Sequence, residues 1–400
     1  MSKPQIVIVG AGPAGMVLAY QLVTNGVPVR VLEQHPDLER EFRGELLGPS
    51  VLPALDSLGI LPMLTERGFA RPGVERRMFV GAKRRVMLPG GAELGAQISQ
   101  PGLLALLHEL CSRHPHYQLD FKTTALSAVR EGERVTALVV RREGREERVE
   151  GDVFVVCNGR NSRLRKDLGI DVELSEKPDS TLWLRFDFAD APEALPRTVD
   201  VHMFGKGVVV VHFATAGRPR LQVAYSAPGD VGVLRKDLPA LRERLLPTLP
   251  EGLRQLVAAK IDDRMESQVL AVAIDRLKTW HVPGMLFLGD AAHTMSPAGG
   301  QGLNLAIRDS IVAANHMIDA VRAGTPIDAA IFTRIEGERR PEIEAAQAGQ
   351  LRAHRMVHKP LFVEHMMFTM LGVVMRFKTF AIPPPPPVEP RHAVRATPAP

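Results

Sequence analysis

Four apolar residues, Ile6-Val7-Ile8-Val9, run directly into Gly10-Ala11-Gly12-Pro13-Ala14-Gly15. This juncture restricts the folds open to the chain more than any other stretch. An unbroken Val/Ile run suits a strand buried on both faces, as in a parallel sheet covered by helices. In the G-x-G-x-x-G spacing, Gly10 makes a tight turn and Gly12 lets a ligand approach the backbone. Gly15 lets the next helix pack close to the sheet. Residues 16–25 have the pattern of that helix, closed by Gly26, and residues 27–32 read as a second strand ending in Glu33. Strand, glycine turn, helix, strand and acid in this order form a β-α-β unit with a dinucleotide fingerprint. Gly12 admits the pyrophosphate, and the Glu33 carboxylate accepts from ribose hydroxyls, which favours an adenosine without a 2′-phosphate.

Two later stretches repeat the logic of a strand opening into a glycine turn. Met285-Leu286-Phe287-Leu288 is followed by Gly289-Asp290-Ala291-Ala292-His293, by Thr294-Met295-Ser296-Pro297-Ala298-Gly299-Gly300-Gln301-Gly302-Leu303-Asn304, and by a helical pattern over 303–321. Glycines before a helix expose N–H groups that attract negative charge or electron-rich oxygens. Asp290 falls at a strand end, where open α/β sheets bind ligands. In mid-chain, Asp152-Val153-Phe154-Val155-Val156 reads as a central strand. It opens into Cys157-Asn158-Gly159-Arg160-Asn161-Ser162-Arg163-Leu164-Arg165, a second wall for the same cofactor. Arg43, beside Gly44, can reach a phosphate or a cofactor edge. Ser99 or Gln100 caps a helix over 102–112 or meets a ligand.

The remaining pattern divides the chain. Residues 119–129, 135–142 and 148–156 read as strands separated by charged turns. Residues 71–97 read as a strand pair, and alternating segments within 178–268 as half-buried antiparallel strands. The expected organisation is a discontinuous nucleotide-binding domain (1–70, 98–177, 269–356) and a sheet-rich substrate domain (71–97, 178–268). A C-terminal helical segment (357–382) and a disordered Pro-rich tail (383–400) complete it. The inserted sheet holds Trp183, Phe204, Phe213 and Tyr225 as candidates to line an apolar pocket. No histidine there has triad or metal spacing, and His293 is expected to be a structural hydrogen-bonder rather than a base. Residues 361–380, rich in Met and Phe, form a docked helix whose composition also admits peripheral contact with a membrane.

The formal charge of +5 is small for 400 residues and the arginines are scattered, which argues against a nucleic-acid partner. Two cysteines, Cys111 and Cys157, lack metal or CxxC spacing, and a strand begins within five residues of the start. A reduced, cytoplasmic setting without signal peptide or spanning helix is expected.

Taken together, the three motifs resemble those of the FAD-dependent aromatic hydroxylases, the group typified by para-hydroxybenzoate hydroxylase. Residues 10–15 match the family's first motif. Residues 289–304 match G-D-A-A-H-x-x-x-P-x-x-G-Q-G-x-N at every defining position. The resemblance covers residues 4–350. It implies a Rossmann-type α/β domain with an inserted sheet domain, and it implies particular contacts. Gly10, Gly12, Pro13, Ala14 and Gly15 would follow the pyrophosphate, and Glu33 with Gln34 would hold the adenosine ribose. Arg43 and Gln100 would touch the flavin side, with Asn158 and Gly159 as the second wall. Gly289 and Asp290 would take the ribitol. Pro297, Gly299, Gly300, Gln301, Gly302, Leu303 and Asn304 would surround the isoalloxazine. One departure is clear: the middle motif D-G-x-x-S-x-x-R keeps Gly159, Ser162 and Arg165 but begins with Asn158, which puts the nicotinamide step in question.

The resemblance further implies FAD with NAD(P)H as a transient reductant and O2 as co-substrate. A hydroperoxide at flavin C4a would hydroxylate or epoxidise a hydrophobic, aromatic small molecule of secondary metabolism or catabolism. No catalytic side chain is assigned. A non-catalytic flavin scaffold is the alternative that Asn158 favours. A flavin-dependent halogenase is disfavoured, because Trp183 and Trp280 do not form W-x-W-x-I-P.

Overall fold

The computed structural model describes residues 3–39, 45–81, 83–86, 93–176, 180–190, 195–229, 231–262, 264–297, 300–377 and 387–392. Ile6–Val9 lies inside a six-stranded sheet of order His281–Val282, Met285–Phe287, Val153–Val156, Ile6–Val9, Val29–Leu32, Tyr117–Asp120. All neighbours are parallel except the two-residue edge His281–Val282. Every residue of Ile6–Val9 and Val153–Val156 is buried, as their unbroken apolar runs require. Helix Pro13–Thr24 begins with proline, whose missing N–H costs nothing there. Its residues 14–24 are all buried, because Gln100–Ser112 and Gln301–Ala323 pack against it as well. A Cβ on Gly15 would stand 2.0 Å from the Gly10 carbonyl oxygen, so this glycine sets the distance between helix and turn.

The second large sheet has nine strands. Its order is Glu266–Leu270, Thr181–Asp187, Arg220–Ser226, Val209–Ala214, Val199–Met203, Ala70–Val80, Glu93–Ile98, Leu46–Leu47, with Arg84–Val86 beside Ala70–Val80. Alternation gives it two distinct faces. Leu182, Leu184, Val210, Leu221, Val223 and Tyr225 pack on Leu241, Leu245, Leu253 and Val257 of the helices Leu238–Leu245 and Glu251–Ala258. The opposite face carries Val74, Trp183, Val199, Phe213 and Ala224, with Leu46 against them.

Three differences from the expected elements are informative. Residues 119–129 form two strands in two sheets, Tyr117–Asp120 and Thr123–Glu131, because Lys122 adopts a left-handed φ of 51° and turns the chain. A lysine there leaves no trace in the pattern. Residues 148–156 likewise split at Gly151, where a Cβ would lie 2.7 Å from Val7 Cγ2. The pieces on either side belong to the Thr123–Glu131, Arg134–Arg142, Arg145–Glu150 meander and to the parallel sheet. Finally, residues 387–392, within the stretch expected to be disordered, lie on helix Gln301–Ala323. Asn315 donates to the Glu389 carbonyl at 2.9 Å and accepts from the Arg391 N–H at 2.8 Å, and Arg391 pairs with Asp319. No helix among the described residues is long and apolar enough to cross a membrane. Phe362, Met366 and Met370 are exposed on Leu361–Phe377.

Candidate active site

The three glycine turns leave one edge of the parallel sheet side by side. Gly10 N–H donates to the Leu32 carbonyl at 2.8 Å, Cys157 N–H to the Val9 carbonyl at 2.8 Å, and Leu288 N–H to the Val156 carbonyl at 3.0 Å. This is the carboxyl end of the strands, flanking the point where strand order reverses, which is where such sheets bind ligands. Gly10 has φ 105°, and a Cβ there would lie 2.7 Å from the Cys157 carbonyl oxygen and 2.8 Å from Asn158 Cα. The first and second turns therefore touch through a position only glycine can fill. Gly12 ends the turn as the N-cap of Pro13–Thr24, leaving the helix start, with Ala14, free of a capping side chain. Glu33 is buried, and its carboxylate accepts from Ala11 N–H at 2.7 Å and His35 N–H at 3.0 Å, bracing the fingerprint turn. Gln34 beside it is exposed, its amide near the His35 ring.

Asp290 follows on the third turn, partly exposed, with the Arg160 guanidinium of the second turn 3.9 Å away. Arg160 also donates to the Ala271 carbonyl at 3.0 Å, which fixes its direction. In sequence it was one donor among several, and nothing marked it as the partner of Asp290. Asn158 Oδ1 and Ser162 Oγ are buried without a hydrogen-bond partner. Orphaned polar atoms of this kind are uncommon in folded proteins, and here they flank Gly159, whose φ is 83°. Gly289 (φ 57°) packs against Ala306 and Ala14, a Cβ there reaching 3.1 Å and 3.6 Å from their Cβ atoms.

Helix Gln301–Ala323 starts from Gly300, which has a left-handed φ of 62° and donates to the Pro297 carbonyl at 3.0 Å. Ala298 and Gly299 lie outside the described residues, as does Arg43 with Gly44. Asn304 is buried one turn into the helix. It accepts from Gly48 N–H at 2.7 Å and donates to the carbonyls of Leu46 (3.1 Å) and Gly300 (2.8 Å), so the segment 45–48 is laid across the helix start. Gly302 faces Met295 and Asp290, Gln301 is exposed, and Leu303 packs on the core. Gln100 is the buried first residue of Gln100–Ser112, whose N-cap Ser99 accepts from Gly102 N–H at 3.2 Å.

His293 is a brace. Its Nε2 lies 2.8 Å from Asp309 Oδ2, the same oxygen accepts Gly289 N–H at 3.1 Å, and Arg339 Nε reaches Asp309 Oδ1 at 2.8 Å. Burial pushes the Asp309 carboxyl up, but His293 and Arg339 outweigh it and hold the group at about 2. The motif's histidine thus ties strand, turn and helix together from inside.

The aromatic candidates separate by sheet face. Trp183 and Phe213 meet edge-on at 6.2 Å on the face shared with Leu46. Tyr225 is buried against the helices on the other face, where Phe204 also packs. Among the described residues, Asp200, His202 and His212 form the one group spaced to hold a metal ion. Arg77 takes both Asp200 oxygens, and the two imidazoles meet through Nε2 at 3.1 Å, which makes a hydrogen-bonded core cluster.

Residues 3–346 match the model of a family described as the FAD binding domain. A 6-methylpretetramide 4-monooxygenase of Streptomyces rimosus is 30% identical over 361 residues, covering 88% of this chain and 84% of that protein. The chain belongs to the FAD-dependent aromatic hydroxylase family. Within it, the 3-(3-hydroxy-phenyl)propionate/3-hydroxycinnamic acid hydroxylase of Escherichia coli is 26% identical over 317 residues, 76% of this chain and 54% of that enzyme. The fold is shared with PqsL of Pseudomonas aeruginosa, a probable FAD-dependent monooxygenase (TM-score 0.74, 21% identity, covering 89% and 97% of the two chains). The cofactor of this family is FAD, and the geometry fits it. The Gly10 cradle, the open Pro13 helix start and the orphaned Asn158 and Ser162 atoms suit a long, polar, anionic molecule lying along the sheet edge.

Proposed function

We propose that the protein is an NAD(P)H-dependent FAD monooxygenase that places one oxygen atom of O2 on a hydrophobic, aromatic small molecule. The observation that carries this reading is the convergence of three glycine turns on one sheet edge, facing the Trp183/Phe213 side of the second sheet across residues 45–48. When bound, FAD supplies reduction by nicotinamide and activation of O2; the side chains hold, orient and exclude water. Gly10, Gly12, Pro13 and Ala14 line the pyrophosphate, Glu33 and Gln34 lie at the adenosine ribose, and Asp290 at the ribitol. Gln100, Pro297, Asn304 and the helix start at Gly300, Gln301, Gly302 and Leu303 would lie around the ring, with Gly299 assigned there by its place in the motif, and the helix N–H groups would offset negative charge on it. Arg43 belongs to the ring edge by its place in the motif. Trp183 and Phe213 form the apolar wall above. No second nucleotide fingerprint is present in the sequence, consistent with a nicotinamide that visits transiently.

Asn158 supports a second reading, a flavin-holding subunit without turnover, because it stands where the family motif has an acid. One experiment separates the two. The FAD-loaded protein is reduced with NADPH or NADH without air, then exposed to O2 with a panel of phenols and polycyclic aromatics, and products are weighed. Reduction faster than that of free flavin, with a product heavier by one oxygen atom, supports the enzyme. Reduction no faster than free flavin, with no oxygenated product, supports the scaffold.

A further inference from the structure

Helix Leu361–Phe377 has no part in the roles above, and its sequence holds one acid, Glu364, and one cation, Arg376. A helix apolar on nearly every side belongs in a protein core or against lipid. One side is already covered: Leu361 and Phe368 pack on Val80, Val86, Met203 and Val209 of the nine-stranded sheet. The other side is not. Phe362, Met366 and Met370 stand four positions apart, so they form one row along the helix. They are 71%, 54% and 62% exposed, whereas elsewhere among the described residues exposed large hydrophobics occur singly, at Val172 and Val233. A continuous row calls for a partner; single residues do not.

Charge selects the partner. From residue 351 to 380 the chain carries five cations, Arg352, Arg355, Lys359, Arg376 and Lys378, against the single acid Glu364. Glu364 lies two positions from both Phe362 and Met366, hence on the opposite side of the helix, and it is buried with neither carboxylate oxygen hydrogen-bonded. Burial raises it to about 7, which reduces its negative charge near neutrality. The head of the helix is gripped by the turn Gly205-Lys206-Gly207. Lys206 N–H donates to the Lys359 carbonyl at 2.8 Å, and Gly207 N–H to the Val357 carbonyl at 2.7 Å. These bonds bring the exposed Lys206 beside the exposed Lys359, three residues before Phe362.

We propose that this row lies on an anionic lipid bilayer, with Phe362, Met366 and Met370 at the boundary of headgroups and acyl chains and Lys206 and Lys359 on lipid phosphates. The contact is peripheral, since no described helix is long and apolar enough to cross a membrane. It is also independent of the oxygenation reaction. Surface helices bind such bilayers by joining an inserted apolar face to flanking cations. Each lysine near an anionic leaflet strengthens binding roughly fivefold. A second copy of the chain suits the row less well. Three side chains over two helical turns fall short of the about 800 Å² per partner that a stable dimer buries.

The test floats the FAD-loaded, full-length protein with vesicles of phosphatidylcholine containing one third phosphatidylglycerol, and with phosphatidylcholine alone. The protein should rise with the anionic vesicles only, and less of it as salt screens the charges. Met366→Asp combined with Met370→Asp should weaken binding about tenfold or more, and so should Lys206→Glu combined with Lys359→Glu. All four positions are exposed, so circular dichroism and bound FAD should match the native protein. Val233→Asp, at an exposed apolar position on another element, should leave the affinity unchanged. Failure of the native protein to float with anionic vesicles overturns the proposal. So does equal flotation with phosphatidylcholine alone, or unchanged affinity in either double variant. Sedimentation velocity without lipid supplies the last arm. A native dimer that Met366→Asp with Met370→Asp turns into monomer would give the row to a second copy and overturn the proposal as well.

Discussion

Asp309 shows what a single residue does beneath the glycine motif. It sits inside helix Gln301–Ala323, yet its two oxygens serve Gly289, His293 and Arg339. Because its carboxyl is held at about 2, below the ordinary 3.8, the stability it contributes is complete above 3.8. That contribution is lost as pH falls through about 2. Asp309→Asn is expected to cost about 3 kcal/mol in urea unfolding at pH 7, since it removes one of the two carboxylates, with Glu342, that pair with the buried Arg339 guanidinium. The gap to the native protein should narrow as pH drops between about 4 and 2. A gap that stays constant with pH would refute the charged role. The bracing role of His293 was legible from its place beside a glycine turn, but Asp309 and Arg339 were not, because their pairing crosses 30 positions and two helices. Glu45 and Gln222 are farther apart still, 177 positions. Such contacts are made by the packing of whole sheets and have no local sequence signature.

At the scale of elements, the parallel strands and their glycine turns were readable because backbone conformation and two-faced burial impose residue types locally. The strand ends were not. Lys122 takes a conformation that lysine rarely adopts, and Gly151 is small because Val7 is close, a contact with a distant strand. The segment 387–392 lies in a tail whose Pro/Ala/Arg composition carries no packing pattern. It is held by two hydrogen bonds of Asn315 and by pairs of Asp319 with Arg391 and His392 at 2.9 Å each. Asn315→Ala should therefore release it. Limited proteolysis is expected to cut near residue 390 several times faster in the variant, with cleavage elsewhere unchanged. Equal rates would show that the side-chain clamp is not what seats the segment.

On the scale of the molecule, the three glycine turns gather at the carboxyl edge of the parallel sheet, and the nine-stranded sheet turns one face to helices and the other to Leu46. Residues 45–48 join the two, fastened to helix Gln301–Ala323 by Asn304 and to the nine-stranded sheet by Glu45 through Gln222. From sequence alone the motifs marked the three turns that the fold brings to one sheet edge. They could not assign Trp183 and Phe213 to one sheet face and Tyr225 and Phe204 to the other, because which face of an alternating strand is covered depends on where the helices dock. The central claim is that the three turns together hold FAD, and Gly10 is where two of them touch. Quenching of FAD fluorescence on titration with the apoprotein tests it most directly. The native chain should bind one FAD per chain. Gly10→Ala, whose Cβ meets the Cys157 carbonyl at 2.7 Å, should bind it at least tenfold more weakly while remaining folded by circular dichroism. Equal binding by a folded Gly10→Ala protein, or no binding by the native chain, would contradict the account.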